Sequence, residues 1–137
     1  MDESPSSTTD RAIGVLICDD VDAMRMLLTV IVELRPTLKV VGEARDGNEA
    51  ISQAKQLQPD VILLDLSMPQ RTGLEALPEI KHVAPAARVI VLSGMNEPTI
   101  VTHALELGAA RYIEKGADPD TIATAIEDVA SLRNASI

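Results

Sequence analysis

The chain has 137 residues, which predicts a single domain. Of these residues 46% are hydrophobic, and the predicted core is aliphatic because Trp and Phe are absent and Tyr112 is the only aromatic residue. The net charge of -9 repels phosphate backbones, and the lack of aromatic side chains removes base stacking, so the composition argues against direct nucleic-acid binding. Cys18 is the only cysteine, which excludes an internal disulfide and a cysteine-rich zinc site.

Residues 1–11 are acidic and rich in Ser and Thr. We predict a disordered tail here, because the segment has too little apolar surface to offset the entropy lost on ordering. The segment has no basic-then-apolar signal pattern, and no apolar stretch of the chain approaches the roughly 20 residues that a membrane helix needs. We therefore expect a cytoplasmic protein with no membrane partner.

From residue 12 onwards, short apolar runs alternate with segments whose apolar residues recur at helical spacing. The apolar runs predict five strands, over residues 12–18, 38–44, 61–64, 88–92 and 111–114. The periodic segments predict five helices, over residues 22–34, 47–57, 74–83 and 98–107 and from Pro119 onwards. In the first helix the residues at helical spacing are Ala23, Met26, Leu27, Val30, Ile31 and Leu34. Asp118 is the predicted N-cap of the last helix, and Pro78 is predicted to kink the third helix or to mark its first turn.

Five repeats of a strand followed by a helix predict an α/β domain with a parallel sheet and helices on both of its sides. The reason is that a crossover between parallel strands must be long and right-handed. We predict that this domain spans residues 12–133, and that residues 134–137 are its C-terminal end or the start of a linker.

Polar side chains follow four of the predicted strands, at one edge of the sheet. Asp19 and Asp20 follow the first strand, Asp65 the third, Ser93 the fourth and Lys115 the fifth. Converging carboxylates raise one another's pKa unless a cation lies between them, and their oxygens suit Mg2+. An ammonium and a hydroxyl on the far side suit a phosphoryl group. The pattern therefore predicts a magnesium-assisted phosphoryl site in which Asp65 is the nucleophile.

Over about residues 13–131 the sequence resembles the receiver domain of two-component response regulators. The stretches that carry the resemblance are Ile17-Cys18-Asp19-Asp20, Leu63-Leu64-Asp65-Leu66-Ser67-Met68-Pro69 with Gly73, Val91-Leu92-Ser93-Gly94 and Tyr112-Ile113-Glu114-Lys115. Together, in order and on successive strand ends, they are highly specific. The resemblance is closest to the subfamily that usually carries a C-terminal helix-turn-helix output domain. It implies a five-stranded, doubly wound (βα)5 flavodoxin-like receiver fold with strand order 2-1-3-4-5.

The resemblance also implies a role for each acidic residue of the site. Asp65 is expected to accept a phosphoryl group from a sensor histidine kinase or a histidine phosphotransfer protein. Asp20 and Asp65 are expected to ligate Mg2+ directly, with Mn2+ as a plausible substitute. Asp19 is expected to act largely through water, and the main-chain carbonyl of Ser67 completes the implied ligands from the protein.

On the phosphoryl side, Lys115, the Ser93 hydroxyl and the Gly94 amide are the implied partners of the phosphoryl oxygens. Ser93 and Tyr112 are the implied switch residues, which change the face formed by the fourth helix, the fifth strand and the fifth helix. Ser93 stands where Thr is commoner and keeps the hydroxyl. Gly116 stands where many relatives have a cis proline, so a cis peptide bond is not expected here.

The implied function is a phosphorylation-activated signalling switch that catalyses only its own phosphoryl transfer and autodephosphorylation. The expected output is the regulation of transcription through a DNA-binding domain outside this chain, with a homodimer of the phosphorylated form as one option. The alternative is a stand-alone receiver that acts by protein–protein interaction or as a phosphorelay intermediate.

Three other classes of protein fit these residues less well than a receiver domain does. A phosphatase of the haloacid-dehalogenase type needs a second Asp two residues after the nucleophile, and Ser67 stands there. A dinucleotide-binding domain needs Gly-x-Gly-x-x-Gly after the first strand, and Asp19-Asp20 stand there. An interaction module with a vestigial site is disfavoured because the acids, Ser93 and Lys115 are all present.

Overall fold

A computed structural model of the protein describes residues 11–94 and 97–135, with side chains as far as residue 131. Within the predicted tail only Arg11 belongs to the described residues, and residues 136–137 lie outside them. The strands are β1 (Ile13–Cys18), β2 (Leu38–Ala44), β3 (Val61–Leu64), β4 (Arg88–Ser93) and β5 (Arg111–Glu114). The helices are α1 (Asp22–Glu33), α2 (Gly47–Leu57), α3 (Gly73–Val83), α4 (Pro98–Glu106) and α5 (Pro119–Ala135).

The five strands form one parallel sheet in the order β2-β1-β3-β4-β5. This confirms the predicted doubly wound fold and its strand order. The three central strands, β1, β3 and β4, are rich in β-branched residues and leucine and are buried on both faces, as central strands of a parallel sheet must be. The register pairs Cys18 with Leu64 and Leu64 with Val91, so the carboxyl ends of β1, β3 and β4 lie side by side.

Two hydrophobic clusters cover the two faces of the sheet. One is formed with α2, α3 and α4, and it includes Ala54, Leu77 and Ala104. The other is formed with α1 and α5, and it includes Leu28 and Ile126. Since alternate residues of each strand point to opposite faces, a single strand contributes side chains to both clusters.

Local signals in the sequence explain where the helices begin. The amide of Thr121 donates to Oδ1 of Asp118 at 2.9 Å, which confirms the predicted cap of α5. The hydrogen bond from this backbone amide lowers the pKa of Asp118. Helix α3 begins with a capping box of Thr72 and Glu75. Pro78 lies in the middle of α3, so it does not mark the first turn.

Helix α1 has apolar residues on more than one side. Leu28, Ile31 and Val32 are buried, but Met26 and Leu34 are 69% and 70% exposed. Of the six apolar residues at helical spacing, only Ile31 is buried. In the part of the chain that the structure describes, no helix has the length and apolar character needed to cross a membrane.

Candidate functional site

The strand ends bring together the side chains that the sequence singled out. Asp19 directly follows β1 and Asp65 directly follows β3, while Ser93 is the last residue of β4 and Lys115 directly follows β5. One carboxylate oxygen from each of Asp19, Asp20 and Asp65 lies within 4.8 Å of the others. The convergence follows from the parallel sheet, because all of its strands end at the same edge.

The sheet extends into the site through its main chain. The Asp19 amide donates to the Ala44 carbonyl at 3.0 Å, and the Asp65 amide donates to the Cys18 carbonyl at 2.9 Å. Both aspartates are therefore held as if they were one further residue of their strands. Their side chains are buried, with 1% of Asp19 and 3% of Asp65 exposed, whereas Asp20 is exposed.

One cation faces the two buried carboxylates. Lys115 Nζ lies 2.8 Å from Asp19 Oδ2 and 3.4 Å from Asp65 Oδ2. Burial lowers the pKa of Lys115, but the contact with Asp19 and the charge of Asp65 outweigh it, so the net shift raises that pKa. The ammonium thus stays charged at neutral pH. Among the described residues, it is the cation that pairs with the carboxylates of Asp19 and Asp65.

Asp65 is strained electrostatically in this arrangement. Burial raises its pKa, and the charge of Asp19 adds to the rise; the hydrogen bond from the Ser67 amide at 3.2 Å and the charge of Lys115 act in the opposite direction. The net shift is upward. Ionised Asp65 therefore gains from any further positive charge brought to the cluster.

The residues present fit a divalent cation. The Oδ2 atoms of Asp19 and Asp65 are buried and face the Lys115 ammonium, but neither has another partner among the described residues. Buried oxygens in that state have unused capacity to act as ligands, and hard carboxylate oxygens on a site open to water suit Mg2+. Asp20, on the exposed side of the cluster, supplies the third carboxylate.

Ser93 and Gly94 border the same site on the β4 side. Ser93 is fully buried, and its carbonyl accepts a hydrogen bond from the Lys115 amide at 2.9 Å, which ties the lysine to the end of β4. Gly94 is exposed, and a Cβ built on it would meet nothing within 4 Å. A side chain at this position would thus point into open space. No cis peptide bond occurs among the described residues, so the bond between Lys115 and Gly116 is trans.

Tyr112 lies on β5, three residues before Lys115. Its ring is half-buried and packs against the cluster formed with α2, α3 and α4. Its hydroxyl is buried and has no hydrogen-bond partner among the described residues.

The β3–α3 loop passes unusually close to Asp65. A Cβ on Gly73 would lie 2.0 Å from the Asp65 carbonyl oxygen, which is main-chain and cannot rotate away. The Gly73 amide donates to the Leu66 carbonyl at 3.2 Å, which closes the loop. The sequence pattern predicts the turn that ends at Gly73, but it does not predict this contact.

Arg25 also contacts the site, although its sequence position did not predict this. Its Nη1 donates to the main-chain carbonyl of Asp19 at 2.8 Å, so it touches the loop that carries two of the three acids. The only sequence signal was a cation five residues after the acidic pair, in the first turn of a mostly apolar helix.

Comparisons with known proteins agree with this geometry. The sequence model of the family described as the response regulator receiver domain matches residues 15–127. The chain is 37% identical over 115 residues to the chemotaxis protein CheY of Thermotoga maritima, a match that covers 84% of this chain and 95% of that protein. It is 47% identical over 109 residues to the protein-glutamate methylesterase/protein-glutamine glutaminase of the same organism, covering 78% of this chain and 31% of that protein.

The chain is also similar to a transcription regulator and to a solved complex. It is 37% identical over 119 residues to the transcriptional regulatory protein LnrK of Bacillus subtilis, covering 87% of this chain and 54% of that protein. A chain of the CheX-CheY-BeF3-Mg2+ complex from Borrelia burgdorferi matches with a TM-score of 0.84 and 29% identity, over 89% of this chain and 92% of that one. This chain thus spans about half or less of the methylesterase and LnrK, but nearly all of CheY.

Proposed function

The chain belongs to the response regulator receiver family, a signalling module of two-component systems, and from that premise we propose that Asp65 is its phosphoacceptor. The observation that carries the proposal is the position of Asp65: a buried carboxylate at the end of β3, within 4.8 Å of two other acids and 3.4 Å from the Lys115 ammonium. We further propose that the receiver domain spans residues 12–133, after a disordered tail at residues 1–11, and that the protein is cytoplasmic.

In the proposed reaction, a carboxylate oxygen of Asp65 attacks the phosphorus of a phosphohistidine. The new oxygen–phosphorus bond forms as the nitrogen–phosphorus bond breaks, and the electron pair of the broken bond returns to the imidazole. A bound Mg2+ would be held directly by the carboxylates of Asp20 and Asp65 and by the Ser67 carbonyl, with Asp19 acting largely through water. It would supply charge neutralisation, and Mn2+ is a substitute. Lys115 is positioned to neutralise a phosphoryl oxygen from the β5 side.

The Ser93 hydroxyl and the Gly94 amide are the proposed donors to the other phosphoryl oxygens. Ser93 ends β4, and Tyr112 lies on the adjacent strand. In the proposed switch, Tyr112 rotates inward as Ser93 moves towards the phosphoryl group. We propose that this coupling changes the face formed by α4, β5 and α5, as in other switches where a local charge biases a two-state element. Catalysis is confined to this transfer and to hydrolysis of the protein's own aspartyl phosphate.

The proposed phosphoryl donor is a sensor histidine kinase or a histidine phosphotransfer protein, and the phosphorylated form is a candidate homodimer. The Borrelia burgdorferi relative was solved with Mg2+ and BeF3, which supports testing both with this protein. The proposed output is transcription, as the name of LnrK suggests. A stand-alone receiver is the second candidate, because the chain covers 95% of CheY.

The acceptor is tested by incubation with Mg2+ and acetyl phosphate, followed by intact mass measurement. We expect the wild type to gain the mass of one phosphoryl group and Asp65→Asn to gain none. Asp60→Asn is the matched control, since Asp60 lies at the opposite end of the same strand. If the wild type gains no mass and also fails to respond to beryllofluoride, the proposed function is wrong.

A further inference from the structure

Arg25 joins three elements beside the acidic cluster. Its Nη1 donates to the Asp19 carbonyl at 2.8 Å, its Nε donates to Glu43 on β2 at 2.9 Å, and its Nη2 pairs with Asp22 in the first turn of α1. The Arg25 side chain is only 11% exposed. A guanidinium has a rigid planar fork of donors, so three contacts in different directions define its place.

The contact with Asp19 distinguishes Arg25 from an ordinary surface ion pair. Its two acidic partners, Asp22 and Glu43, are exposed, and ion pairs with exposed acids contribute little to stability. The Asp19 carbonyl, in contrast, belongs to the peptide unit that joins Asp19 to Asp20. A hydrogen bond to that oxygen fixes the orientation of the peptide plane from which the Asp20 side chain leaves the backbone.

Few other contacts in the loop between β1 and α1 fix the direction of the Asp20 side chain. The Asp19 side chain is held by the Val21 amide, which donates to Oδ1 at 2.9 Å, and by Lys115. In the part of the chain that the structure describes, no hydrogen bond reaches the Asp20 carboxylate. Its direction is therefore set by the backbone between Asp19 and Val21, and Arg25 is the side chain that holds that backbone from the α1 side.

We propose that Arg25 is a positioning residue for the cation site: by holding the Asp19 carbonyl it aims the carboxylates of the β1–α1 loop at the ion. This inference rests on the proposed function, because it concerns the affinity of the same site for Mg2+. Residues that orient metal ligands typically change metal affinity about 10- to 100-fold when they are substituted.

The sign of the effect separates positioning from simple electrostatics. Arg25 is a cation near a cation site, so loss of its charge alone would strengthen Mg2+ binding, the more so because Asp22 and Glu43 would lose their partner. Positioning predicts the opposite, namely weaker binding. A merely structural role predicts lower stability with unchanged affinity in the molecules that remain folded.

The test is Mg2+ titration by calorimetry of the unphosphorylated protein, with Arg25→Gln and Arg25→Lys as variants. We expect Arg25→Gln to weaken Mg2+ binding about 10-fold and Arg25→Lys, which keeps one donor group but not the fork, to restore part of the loss. Arg45→Gln is the matched control, because the exposed Arg45 follows β2 at the same edge of the sheet. It removes the same charge without touching Asp19, and it should not weaken binding. Equal or tighter binding by folded Arg25→Gln would overturn the proposal.

Amide hydrogen exchange without metal is a second measurement. The Val21 amide should exchange about 10-fold faster in Arg25→Gln, because the loop loses one hydrogen bond that restrains it, whereas the Asp65 amide should not change. An unchanged Val21 amide would overturn this inference alone. Absence of Mg2+ binding by the wild type would instead contradict the proposed cation site, and with it this inference.

Discussion

At the scale of single residues, the buried carboxylate of Asp65 lowers the stability of the folded protein. Its carboxylate is buried beside that of Asp19, and burial is the chief cause of its raised pKa. The ionised form is therefore less favourable in the folded protein than in the unfolded chain. Below the ordinary pKa of 3.8 both states hold the proton and no penalty arises. As the pH rises through the folded pKa, the penalty grows to its full value.

We accordingly expect Asp65→Asn to stabilise the metal-free protein at pH 7 by about 1 kcal/mol, in the range common for removing an unfavourable functional charge. The gain should disappear below pH 3.8, where the wild-type carboxyl is protonated. Urea denaturation at both pH values measures this. Asp20→Asn removes the same charge from an exposed position and should give a smaller gain. A destabilised Asp65→Asn at neutral pH would show that the carboxylate is better solvated than its burial indicates.

Gly73 is the residue whose replacement should damage the site through packing. Gly73→Ala places a methyl group 2.0 Å from the Asp65 carbonyl oxygen, so the loop or the end of β3 must move. We expect a loss of about 1–3 kcal/mol in the free energy of unfolding, as for other overpacked positions, together with slower phosphorylation. Thermal denaturation and the acetyl phosphate reaction measure the two effects. Gly116→Ala is the control, because its Cβ would meet nothing within 4 Å; equal losses in both variants would refute the steric explanation.

At the scale of elements, α1 shows that apolar spacing identifies a helix without identifying its buried face. Leu28 is 2% exposed and Met26 is 69% exposed, although both are apolar residues of one helix. We expect Leu28→Ala to destabilise the protein by about 2–5 kcal/mol and Met26→Gln to change stability by less than about 0.5 kcal/mol. Urea denaturation of the two variants decides this. A large loss in Met26→Gln would mean that the exposed side of α1 is covered in solution.

The same element shows why only part of the site followed from the sequence. Asp19, Asp65 and Lys115 were expected to meet because topology alone brings the ends of parallel strands to one edge. Which side of α1 faces the sheet depends on how the whole helix packs, since apolar residues surround much of it. The reach of Arg25 to the Asp19 carbonyl and the approach of Gly73 to Asp65 depend on the path of two loops. The spacing of residue types in the sequence does not predict the path of either loop.

At the scale of the whole molecule, the two hydrophobic clusters share the strands of one sheet. Binding at the strand ends should therefore change the free energy of unfolding of the whole domain. The acidic cluster couples to this unfolding, because it is assembled only when β1 and β3 are paired. A cation that binds the assembled cluster and not the unfolded chain must stabilise the fold by mass action.

We therefore expect Mg2+ at 100 times its dissociation constant to raise the free energy of unfolding by about 2.7 kcal/mol. The net charge of -9 introduces a second effect, because any salt screens the repulsion within the molecule. The measurement is thus urea denaturation with Mg2+ against NaCl of equal ionic strength, and only the difference reports binding. Asp20→Asn should lose most of that difference, since it removes one carboxylate of the cluster while the core is unchanged. If NaCl reproduces the whole increase, or if Asp20→Asn retains it, the stabilisation comes from screening and the acidic cluster is not the site of the cation.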